Sequence, residues 1–180
     1  MFYIFHGNDS HSQKETLAEV IGRLGDPAML ELNTTRFSGV MPFAHLRQAC
    51  DAVPFLAKRR IAIVEDLTAA NPGKAFMEQL LDYLPHMPAS ARLFFLEART
   101  LSAKHPLLKA AEDADNGYVR LFTRPEGNAL NRWVQQRVEE KGGRIAPRAV
   151  HLLVTNAGND LALLDNELEK LVLYKGPEAL

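Results

Sequence analysis

A chain of 180 residues with 47% apolar and 24% charged side chains can bury a sizeable core, and a formal net charge of −1 gives it no global basic field for nucleic acid. Its single cysteine, Cys50, excludes an internal disulfide and suits a reducing compartment. The start Met1-Phe2-Tyr3-Ile4-Phe5-His6-Gly7 has no basic lead and too short an apolar run for a signal peptide or a membrane span, so the expectation is a soluble cytoplasmic protein without a membrane partner.

Phe2 to Phe5 predicts a buried first strand turning at Gly7. Ser12 and Glu15 have capping-box spacing for a helix carrying Leu17, Val20, Ile21 and Leu24, with Gly25 placed to stop it. Ala28 to Leu32 reads as a second strand, and Asn33 to Pro42 as a polar connection. Phe43, Leu46, Ala49, Cys50 and Val53 recur at helical spacing, and Pro54 ends that helix because its ring removes a donor and disfavours helical geometry before it. Ile61 to Val64 predicts a strand and Asn71-Pro72-Gly73 a loop. Phe76, Leu80 and Leu84 predict a helix closed by Pro85 and Pro88. Leu93 to Leu96 predicts a strand, Leu107, Leu108 and Ala111 a helix, and Tyr118 to Phe122 a last strand.

Strands alternating with helices predict an α/β domain over residues 1–124, a five-stranded parallel sheet with helices on both faces. From Glu126 the pattern changes. Leu130, Trp133, Val134 and Val138 form a helical stripe ended by Gly142-Gly143. Pro147 opens a second helix, and Asp160 caps a third through Leu161, Leu164, Leu168, Leu171 and Val172, ended by Lys175-Gly176-Pro177. Three helices in succession predict a small helical domain over residues 125–180.

Val53, Phe55 and Leu56 stand where a helix-to-strand corner normally carries polar turn residues. Large apolar groups there either close the chain's own core or face a partner. Lys58, Arg59 and Arg60 follow directly and are candidates for a DNA or phosphate contact.

The first turn is where a phosphate-binding loop would sit, but Ser12 stands for the required glycine, Gln13 for the lysine and Lys14 for the hydroxyl, so no ATP binding is expected. Glu65-Asp66 after a buried strand reads as a solvated loop. The six histidines lack partners at metal-ligand spacing, and no Gly-x-Ser-x-Gly turn is present. Cys50 and Trp133 read as core. Neither a catalytic constellation nor a metal or cofactor site is expected.

Three segments resemble the delta subunit of the bacterial DNA polymerase III clamp loader. They are Tyr3 to Asp9, Ala52 to Val64, and Gly158-Asn159-Asp160-Leu161 running into Asn166 to Tyr174. The resemblance implies an ATPase-type (AAA+) fold that has lost ATP binding, followed by a helical lid domain, with no catalysis of its own. In that family the apolar corner inserts into a pocket on the ring-shaped sliding clamp (the beta subunit) and helps open the ring during DNA replication. Matched by position, Val53, Phe55 and Leu56 are the inserted residues. The implied partners are the clamp, other clamp-loader subunits and, indirectly, primed DNA. Family members also carry a third, collar domain, which the resemblance does not find within these 180 residues. The alternatives from other classes are a divergent AAA+ nucleotide-binding ATPase or switch, and a DNA-binding module built on Lys58, Arg59 and Arg60.

Overall fold

The computed structural model describes residues 1–175 and divides into two compact units, Met1–Phe122 and Thr123–Leu180. In the first, β1 (Phe2–His6), β2 (Thr34–Ser38), β3 (Arg60–Glu65), β4 (Ala91–Glu97) and β5 (Gly117–Leu121) form one sheet in the order β2-β3-β4-β1-β5. Every pairing is parallel. The helices of this unit are α1 (Ser10–Gly22), α2 (Pro27–Leu32), α3 (Phe43–Asp51), α4 (Leu67–Ala70), α5 (Lys74–Tyr83), followed by a 3-10 turn Leu84–His86, and α6 (Pro106–Asp113).

The inner strands β1, β3 and β4 are apolar on both faces because both are covered, as a parallel sheet requires. Alternate residues go to opposite layers. Phe2, Ile4, Ala62, Val64, Leu93 and Phe95 pack with Leu46 and Cys50 of α3, Leu80 of α5 and Leu107 of α6. Phe5, Ile61, Ile63, Phe94 and Leu96 pack with Leu17 of α1 and Leu30 of α2. Cys50 is buried, and desolvation pushes its thiol up to about 12, which makes it an inert core group.

Three local expectations are corrected. Residues 28 to 32 are helical, not a strand. Asp26 caps α2 by accepting from the Ala28 and Met29 amides at 3.0 and 3.3 Å, and Pro27 takes the first helical position, where no amide donor is needed. The second strand lies instead at Thr34–Ser38, inside the stretch read as a connection. It is the sheet edge, so its side chains are half-exposed and its sequence carries no apolar run. The first helix is capped by Asp9, whose carboxylate accepts from the Ser12 amide at 3.0 Å, so Ser12 lies inside α1.

The second unit comprises α7 (Gly127–Glu140), α8 (Pro147–Ala157) and α9 (Leu161–Lys175) around Leu130, Val134, Val138, Val150, Leu161, Leu164 and Leu168. Trp133 is half-buried against this core, and Asp160 caps α9 by accepting from the Ala162 and Leu163 amides. Arg137 of α7 meets Asp165 of α9 at 2.7 Å. The expected stop at Gly176-Pro177 lies outside the described residues.

Candidate functional site

The corner between α3 and β3 lies at the end of the sheet where the parallel strands begin. The helix ends at Asp51, Ala52 turns extended with ψ of 136°, and Pro54 prevents the helix resuming. Val53, Phe55 and Leu56 are 88, 61 and 74% exposed. A lone exposed apolar side chain is ordinary, but three within four residues form a patch. Leu56 also has a φ of 51°, a left-handed conformation that costs a branched residue about 1–2 kcal/mol.

Asn33 holds this corner in place. Its side chain is fully buried between α2 and β2. The side-chain amide donates to the Phe55 carbonyl at 2.8 Å and to the Met29 carbonyl at 2.7 Å, while its oxygen accepts the Phe55 amide at 2.7 Å. Paired donor and acceptor on one residue imitate a strand neighbour, so Phe55 is fixed by its backbone while its ring remains free. Sequence reasoning missed Asn33. The only signal was an asparagine beside an apolar run, which reads equally well as a loop residue. The neighbouring Leu32 is also exposed and adds apolar surface beside the bracket.

The cations divide. Arg60 is turned back onto the chain, donating to the carbonyls of Ala49 and Leu32 and to the Thr35 hydroxyl. Arg59 donates to the Ala89 carbonyl at 3.4 Å, and Arg92, at the start of β4, donates to the same oxygen at 2.9 Å. Lys58 is exposed.

At the opposite end of the sheet only Gly7, Asn8 and Asp9 separate β1 from α1. Gly7 has a φ of 129°, and a Cβ there would fall 1.9 Å from the Phe122 carbonyl oxygen, so the turn runs tight against the end of β5. Gln13 is buried and donates to the carbonyls of Gly7 and Glu97, both at 3.1 Å. A phosphate cradle needs free backbone amides and a cation at this helix start. Here the Asp9 carboxylate takes an amide, and Gln13 folds inward where a lysine would reach out. Glu97 is buried beneath, accepting the Thr68 amide at 3.1 Å and the Thr68 hydroxyl. Burial pushes its carboxyl above the usual range, though Thr68 opposes the shift. The His6 Nδ1 accepts the Leu101 amide. Burial, with the charge of His105, holds His6 below the ordinary histidine value.

An all-parallel five-stranded sheet with helices on both faces, followed by a separate helical unit, defines the fold class, and the turn after β1 is filled by the chain's own side chains. The family model of the DNA polymerase III delta subunit matches residues 3–117, and the chain belongs to that family. A further model, described as a middle domain, matches residues 127–178. The chain is similar in fold to the DNA clamp loader delta protein of Bacillus subtilis, with a TM-score of 0.73 and 19% identity over 99% of this chain. It spans 55% of the length of that relative. Among curated proteins none matches.

Proposed function

We propose that this chain is the clamp-engaging portion of a clamp-loader delta subunit, non-catalytic itself, which seats Val53, Phe55 and Leu56 in an apolar pocket of the sliding clamp and so favours the open ring. The observation that carries the reading is the exposed apolar corner itself, held from beneath by Asn33 and strained at Leu56. A chain gains no stability from leaving three large apolar groups in water, whereas a partner pocket recovers about 1.5–3 kcal/mol for each side chain fully buried. The filled turn at Gly7–Gln13 supports a role without ATP chemistry. Opening the ring requires tighter binding to the open clamp than to the closed one, because equal affinity shifts no equilibrium. The proposed partners are therefore the clamp and the remaining loader subunits, with primed DNA reached through them.

The test is the Phe55→Ala/Leu56→Ala variant. Clamp affinity should fall by about 3–6 kcal/mol, roughly a hundredfold to ten-thousandfold. Folding stability should move by no more than about 0.5 kcal/mol per site, as for other surface positions. Clamp affinity equal to that of the unsubstituted chain would overturn the proposal, and so would a melting temperature that collapses, the sign of a core residue.

A further inference from the structure

Beside the apolar corner stands an arrangement that the chain's own folding does not explain. Arg59 and Arg92 place their guanidinium groups on one acceptor, the Ala89 carbonyl, and Arg92 also donates to the Ala91 carbonyl at 2.8 Å. Among the described residues neither meets a carboxylate, although the chain carries 22 acidic residues against 21 basic ones. Two like charges sharing one neutral oxygen repel each other. Burial first, and then the charge of Arg59, hold Arg92 below its ordinary value, while a hydrogen bond with Tyr3 opposes the shift. Arg60, the first residue of β3, shows the alternative the fold had available. It is fully engaged with Ala49, Leu32 and Thr35.

We infer that Arg59 and Arg92 form a seat for a carboxylate on the rim of the partner pocket that receives Phe55 and Leu56. The inference rests on the proposed docking at that corner and adds its electrostatic half. Arg59 follows Leu56 by three residues, so its backbone lies within about 11 Å of the apolar anchor. That is rim distance in an interface with an apolar centre and a polar border. Guanidinium forks match carboxylate geometry, and two of them converge here. A phosphate would also fit the charge. The apolar side chains next door and the absence of a basic field over the chain favour a protein surface instead.

Three proteins should be titrated with the sliding clamp of the same organism across about 50–500 mM salt: the unsubstituted chain, Arg59→Ala/Arg92→Ala, and the milder Arg59→Gln. A fluorescent primed duplex serves as a second probe. The double variant should bind the clamp about tenfold more weakly at low salt, chiefly through slower association, and the difference should close at high salt. Arg59→Gln should show the same trend at smaller size and guards against misfolding of the double variant. Salt curves that superimpose for all three proteins would overturn the inference. Weakened binding to the duplex with clamp binding unchanged would overturn it in favour of a phosphate seat. The docking proposal is read separately from Phe55→Ala/Leu56→Ala, which should lose affinity while keeping the salt dependence. If the unsubstituted chain fails to bind the clamp at all, both fall together.

Discussion

The two ends of the β-sheet are treated in opposite ways. Where the strands finish, the turn after β1 is packed shut. Gly7 lies against Phe122, Asp9 caps α1, and Gln13 is spent on two backbone carbonyls. Where the strands begin, apolar groups are left in water and only their backbone is tied down, by Asn33. A polar pocket has been filled from within while an apolar knob has been kept outside. The lesson is that binding capacity in this domain is read from which polar groups are already satisfied. It is not read from the position of a turn in the fold alone.

If that contrast holds, damage to the closed end should cost stability and damage to the open end should cost binding. Gly7→Ala should have the largest effect on folding. The backbone conformation alone is worth about 1–3 kcal/mol to any side chain, and the contact with the Phe122 carbonyl adds to it. A denaturant midpoint should fall sharply, while clamp affinity of the folded fraction stays unchanged. Asn33→Ala is the crossing case, since it should injure both. Loss of partners for the Phe55 amide and carbonyl should cost about 1–3 kcal/mol of stability. It should also weaken clamp binding, because the corner is no longer preorganised. Full retention of clamp affinity in Asn33→Ala would show that the bracket serves folding alone.

The smallest effect concerns pH. The raised carboxyl of Glu97 takes up a proton more readily in the folded state than in the unfolded one. Its contribution is therefore most favourable at low pH and is lost as pH rises through the raised folded-state value. The lowered histidines work the other way. His6 and His105 cost stability as pH falls below about 6.5, where the unfolded chain takes up protons that the folded chain resists. Glu97→Gln should accordingly raise the melting temperature slightly at neutral pH. It should also leave the acid-side loss from the histidines steeper than in the unsubstituted chain. Identical pH profiles would remove Glu97 from the account.

The strands with continuous apolar runs were legible because a doubly covered parallel sheet has that signature, as Phe2–Phe5, Ile61–Val64 and Leu93–Leu96 do. The edge strand Thr34–Ser38 was not. Half its surface faces water, so it looks like a connection until its partner β3 is known. The short helix α2 was misread because its apolar residues outweighed the Asp26-Pro27 start signal. At the corner, Val53, Phe55 and Leu56 stood out by type and position. Their exposure could not be read from the chain, because the same residues could have closed the core. Asn33 and Arg92 were invisible for a plainer reason. Each reaches the corner from another strand's beginning, with 22 residues between Asn33 and Phe55 and 30 between Arg59 and the Ala89 carbonyl that Arg92 shares, and spacing within one segment carries no trace of such a meeting.

The most direct measurement uses Leu56→Gly. Glycine accepts the left-handed φ of 51° without strain, so if Leu56 is an anchor held outside the core, its removal should separate the two quantities that core residues couple. Thermal unfolding should occur at the same temperature as the unsubstituted chain or slightly above it, while clamp titration shows binding weaker by about tenfold or more. A melting temperature that drops by many degrees, or a clamp affinity that does not change, would contradict the account.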